Sequence, residues 1–180
     1  MLKVRIFTLY PDIYPGPFDI GLFKKAKENK LWDLEIINIR KFANDKHGTV
    51  DDTPYGGGSG MVLRADVLSK ALDKNIDYSN DEKIFYLSPK GRQFNQTIAK
   101  KLSHEKKINI ICGHFEGVDQ RLIETRNIEE ISLGDYILSG GETASFVFVD
   151  SIIRLIPGVL GNNLSVKEES FENDLLEYPQ

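Results

Sequence analysis

Three short stretches carry residue types suited to holding a small ligand with backbone groups. Residues 86–91 read YLSPKG, residues 112–119 read CGHFEGVD, and residues 133–142 read LGDYILSGGE. The first two each follow a short β-rich apolar run, at 83–85 and 108–111, and the third ends in paired glycines before a long apolar segment. Paired glycines let backbone approach backbone or ligand with no Cβ in the way. A turn of this kind feeding a helix can hold a ligand on the helix's first unsatisfied N–H groups. Taken alone, residues 133–142 read equally as a tight turn before a buried helix. Three strand-end loops together point to an α/β protein, in which ligands sit beyond the carboxyl ends of the strands.

A fourth stretch, residues 50–61, reads VDDTPYGGGSGM. It lacks the Gly-Lys-Ser/Thr of a phosphate-binding P-loop, and Met61 stands where the dinucleotide fingerprint needs its third glycine. By composition it is equally a flexible spacer. Asp51 and Asp52 before it are candidate polar contacts or plain solvated acids. Cys112 is the single cysteine. It cannot close an internal disulfide, which favours a reducing compartment, and after INII it reads as a buried strand end rather than a nucleophile. No His/Cys/Asp cluster has metal-ligand spacing, so no metal site is expected, and any Mg²⁺ would be held through substrate or water.

The elements that must position these loops follow from periodicity. Residues 2–9 alternate as a strand stopped by Pro11, and Pro15 and Pro17 keep the next few residues irregular. A short amphipathic helix at 21–30, a strand at 34–39 and a long loop at 40–61 come next; loops of that length are usually functional or disordered. Helices are expected at 65–74, 95–102, 118–126 and 143–155, and strands at 83–87, 108–112 and 128–132. Alternating strands and helices imply an α/β domain with a largely parallel sheet and helices on both faces. The last helix is apolar almost all round, which calls for cover on both sides and suggests a subunit interface.

Composition narrows the class. A hydrophobic content of 41% suits an ordinary globular chain, and 180 residues suit one domain. There is no apolar run of membrane-spanning length and no signal-peptide pattern, so no membrane association and a cytoplasmic location are expected. The formal net charge of −4 is concentrated at the end: residues 161–180 hold Lys167 against five acids, leaving residues 1–160 balanced. Lys90, Arg92, Lys100, Lys101, Lys106 and Lys107 form a local basic set that either meets phosphates or solvates a helix face.

With IPGVLG at 156–161, EESF at 168–171 and LLEYP at 175–179, these motifs in this order resemble the bacterial tRNA (guanine-N1)-methyltransferases over residues 1–180. The resemblance implies an enzyme of the SPOUT class with a deep trefoil knot. Such an enzyme moves a methyl group from S-adenosyl-L-methionine to N1 of the guanine 3′ of the tRNA anticodon, and works as a homodimer. Alternatives are another SPOUT RNA methyltransferase or a cofactor-binding fragment without activity. Residues 1–160 would be the catalytic domain and 161–180 the start of a linker. The family continues into a basic C-terminal domain that grips tRNA and is absent from this chain, so little turnover is expected of residues 1–180 alone.

The resemblance also implies roles. Tyr86, Leu87, Ser88, Pro89, Gly113, Leu133, Gly134, Tyr136, Leu138, Gly140 and Gly141 would line the cofactor pocket, with Glu116 holding the cofactor's cationic end; as a bland alternative, Glu116 is an acid favouring the dipole of the next helix. Asp51, Tyr55 and Gly58 would lie toward the target base. Glu169 would be the general base for the guanine N1 proton and Arg154 the cation near O6. Arg154 is also spaced for a helical ion pair with Asp150. Glu169 stands where the family commonly has Asp, and His114 and Phe115 where Arg and Tyr are frequent.

Overall fold

The computed structural model describes residues 1–80 and 82–160. In chain order it forms β1 (Leu2–Thr8), α1 (Gly21–Glu28), β2 (Trp32–Asn38), the two-residue strands β3 (Asp51–Asp52) and β4 (Val62–Leu63), and α2 (Ala65–Asn75). Then come β5 (Lys83–Gln93), α3 (Gln96–Leu102), β6 (Lys107–Cys112), α4 (Gln120–Thr125), β7 (Glu129–Ser132) and α5 (Gly141–Ile153). The main sheet runs β2-β1-β6-β5-β7, with every neighbouring pair parallel. β3 and β4 form a separate antiparallel pair.

Side chains of successive strand residues point to opposite faces, and β5 follows this. Phe85 and Leu87 join a core with Ala26 of α1, Ile98 and Ala99 of α3 and Phe148 of α5. Ile84 and Tyr86 join a second core with Val67 and Leu68 of α2 and Leu122 and Ile123 of α4. Helices therefore cover both faces, and a parallel sheet buried this way needs nearly unbroken apolar strands. Ile108, Ile110 and Ile111 of β6 meet that need, each at most 1% exposed. Among the described residues no helix is long and apolar enough to cross a membrane.

Three expectations change. β5 does not stop at Leu87 but resumes beyond residues 88–91, since Leu87 and Arg92 both pair with Ile131; the YLSPKG stretch is a bulge within a strand, not a loop after one. α4 starts at Gln120 because Asp119 caps it, accepting from the Arg121 N–H. The apolar girdle of α5 is largely covered inside the chain. Phe146 packs on Tyr14 and Phe18, with ring centroids 5.0 and 5.1 Å apart, and these come from the proline-rich stretch, which winds into two 3₁₀ turns. Val147, at 52%, is the one large apolar side chain of α5 left well exposed. The basic set is partly neutralised: Lys107 pairs with Glu82 and Arg92 with Glu129.

Candidate active site

The bulge in β5 and the carboxyl ends of β6 and β7 give rise to the three loops. In the first, residues 88–91 are thrown out of the sheet, with the Ser88 hydroxyl accepting from the Lys90 N–H at 3.3 Å. Gly91 closes the bulge against β7; a Cβ there would run into the backbone of Glu130 and Ile131. The second loop leaves β6 at Gly113, and a Cβ at that position would lie 2.5 Å from the Tyr86 ring. Phe115 and Gly117 take left-handed conformations, φ 60° and 117°, which turn the chain back toward β4. The third loop leaves β7 at Ser132 and returns to the sheet at Gly141. There the Gly141 N–H donates to Gly113 O at 2.9 Å, and a Cβ would lie 2.6 Å from Cys112 Cα. Two backbones touch at this point, which only glycine permits.

Between the loops is a cavity of about 340 Å³, within the range of small-molecule sites. Its wall includes all twelve residues expected to hold a cofactor: Tyr86, Leu87, Ser88, Pro89, Gly113, Glu116, Leu133, Gly134, Tyr136, Leu138, Gly140 and Gly141. Phe115, Tyr136 and Leu138 expose apolar surface there. Burial, with the Glu130 carboxylate adding to it, pushes the Tyr86 phenol up to about 12, so it stays neutral at physiological pH. Behind the wall, burial pushes the Cys112 thiol up to about 12 as well. Cys112 is therefore a packing residue and no nucleophile. Lys90, His114, Glu130 and Ser139 also line the cavity and were not among the candidates. Proximity in sequence to the glycine motifs is the signal that marks them.

The RNA-side candidates sit beside this cavity. Asp51 pairs with Leu63 in the β3–β4 ladder, and Tyr55 is 91% exposed with the Arg121 guanidinium 5.1 Å from its ring centre. Gly58 lies in open space at φ 128°. The strand that follows is tied to the second loop, as Glu116 N–H donates to Met61 O at 2.8 Å and Leu63 N–H to Gly117 O at 2.9 Å. Gly60 packs directly on the Glu116 side chain. A second, open cavity of about 450 Å³, lined in part by Tyr55, Arg64 and Arg121, adjoins this ladder.

Arg154 is not brought to the first cavity. It caps the far end of α5, its N–H donating to Asp150 O at 3.2 Å. At about 1.5 Å per residue this is roughly 20 Å from the Gly141 end. Burial raises the Asp150 carboxyl, with the Arg154 charge opposing. Glu169 lies outside the described residues, as does the expected linker. Among the described residues no group of three or more His, Cys, Asp or Glu side chains is placed to hold a metal ion.

The family model described as tRNA (Guanine-1)-methyltransferase TrmD matches residues 2–180. A tRNA (guanine-N(1)-)-methyltransferase of Pelagibacter ubique is 63% identical over 180 residues, which is 100% of this chain and 78% of that relative. Its namesake in Bartonella henselae is 53% identical over 178 residues, covering 99% of this chain and 75% of the relative. Another, from Wolbachia pipientis wMel, is 51% identical over 180 residues, covering 99% and 76%.

Proposed function

The chain belongs to the tRNA (guanine-1)-methyltransferase family, and from that premise we propose that it methylates N1 of the guanine immediately 3′ of the tRNA anticodon, using S-adenosyl-L-methionine. The observation that carries this reading is the convergence on one cavity of three glycine-bearing segments, from the bulge of β5 and the carboxyl ends of β6 and β7. The cofactor supplies an electrophilic methyl group; the protein's share is to fix geometry. Gly113, Gly140 and Gly141 let the loops that wall the cavity pack this closely, since a Cβ on each would strike the Tyr86 ring, the His114 ring or the Cys112–Gly113 backbone. The apolar flank of Tyr136 and Leu138 suits a purine ring, and Glu116 suits the ammonium end.

At the other reactant, guanine N1 must lose a proton before it attacks. Glu169 is the proposed base, and Arg154 the cation that stabilises negative charge growing on O6. Asp51, Tyr55 and Gly58 are proposed to face the RNA. One chain leaves Arg154 at the opposite end of α5 from the cavity, which supports a homodimer built partly on that helix. Any Mg²⁺ enters with the substrate. The SPOUT fold with its trefoil knot belongs to this reading. A cytoplasmic location follows from the substrate.

Titration calorimetry with S-adenosylhomocysteine tests the cofactor assignment. Binding is expected without RNA, weakened at least tenfold by Glu116→Gln and unchanged by Lys27→Ala on the distant α1. A folded protein giving no heat at millimolar ligand contradicts it.

A further inference from the structure

Behind the cavity wall, Glu142 is a buried carboxylate with both oxygens engaged. Oε1 accepts from the Thr8 hydroxyl at 2.5 Å, and Oε2 meets His114 Nε2 at 2.7 Å. The side chains of His114 and Glu142 are only 12% and 7% exposed. The three partners come from three places: Thr8 ends β1, His114 follows β6, and Glu142 lies in the first turn of α5. Thr8 Oγ1 also accepts from the Tyr10 N–H at 2.9 Å, and the Tyr10 ring meets His114 edge-on with centroids 5.0 Å apart. Gly140 passes so close that a Cβ would strike both His114 Cε1 and Glu142 Oε2. His114 and Gly140 face the cavity; Thr8 and Glu142 do not.

A buried carboxylate is costly unless partnered, and for stability alone an apolar side chain of similar volume would serve as well. What the carboxylate adds is direction, because two charge-assisted bonds admit one arrangement of three segments. We propose that Thr8, Glu142 and His114 form a positioning latch for the cofactor site. Glu142, oriented by Thr8, holds His114 and with it the 113–116 turn at a fixed spacing from Gly140. The inference rests on the cavity being the cofactor site. Neither Glu142 nor Thr8 touches a reacting atom, so they act through His114 and the loop it anchors.

The test compares dissociation constants for S-adenosylhomocysteine and ligand-free melting temperatures of wild type, Glu142→Gln, His114→Ala and His114→Arg. Glu142→Gln and His114→Ala are expected to weaken binding about tenfold or more. His114→Arg should bind within about threefold of wild type, since a guanidinium donates to the same oxygen. Rescue by arginine separates the latch from mere packing. The proposal is overturned if His114→Ala binds as wild type does, or if folded His114→Arg is as weak as His114→Ala. Should Glu142→Gln fail to fold, the two His114 variants decide. A wild type that does not bind at all removes the cofactor reading and the latch with it; weak variants beside a tight wild type concern the latch alone.

Discussion

Glu169→Gln lowers the rate of methyl transfer by about 10²–10⁴ and leaves cofactor affinity near that of wild type. Guanine N1 carries a proton at neutral pH and is a poor nucleophile until it leaves, so a carboxylate within reach is the group the step depends on. The amide keeps the size and polarity of the side chain and cannot accept that proton. Glu169→Asp should cost less, because the shorter acid still accepts the proton, and Glu168→Gln should change little. Single-turnover rates with protein in excess over tRNA measure this. If Glu168→Gln is slow and Glu169→Gln is not, the base is one residue earlier. If both turn over normally, the base is elsewhere.

Gly141→Ala is the second large effect, and it acts on fold and site together. The new Cβ would sit 2.6 Å from Cys112 Cα and 2.7 Å from Gly113 N. Both atoms are backbone at the end of a central strand, where nothing can swing away. Overpacking of this kind costs about 3 kcal/mol, or roughly 10 °C of melting temperature for a domain of this size. The same displacement pulls α5 off Gly113 and should weaken cofactor binding at least tenfold. Gly57 is the control: a Cβ there meets nothing within 4 Å, though φ is +87°, so alanine costs about 1 kcal/mol from backbone strain alone. Thermal melts in which Gly141→Ala matches Gly57→Ala would contradict the close backbone approach.

The sheet was legible because its strands keep simple patterns. The alternation of β1 marks a strand period, and the apolar run of β6, interrupted only by Asn109, is what a parallel sheet covered on both faces requires. The site was legible for a related reason: two of the glycine loops directly follow a strand and the segment at 88–91 interrupts one, so finding the strands places all three. The continuation of β5 was hidden because Pro89 and Gly91 interrupt the period, and a bulge of four residues looks like a strand end in sequence. The cover over α5 was hidden because Phe146 meets rings more than 120 residues earlier, in a proline-rich stretch with no periodicity of its own. Glu142 looked like the polar edge of a turn. Its partners, 134 and 28 residues away, are fixed only by the tertiary fold. Arg154 and the glycine cradle are close in sequence, yet a straight helix holds them apart.

The most direct test of the central claim is where the methyl group goes. Protein in excess is incubated with labelled S-adenosyl-L-methionine and a tRNA carrying guanine 3′ of the anticodon, and the digested product is mapped by mass spectrometry. 1-Methylguanosine is expected at that position, and none in a tRNA with adenine there. Label on another nucleotide or another ring atom, or equal labelling of both tRNAs, would contradict it.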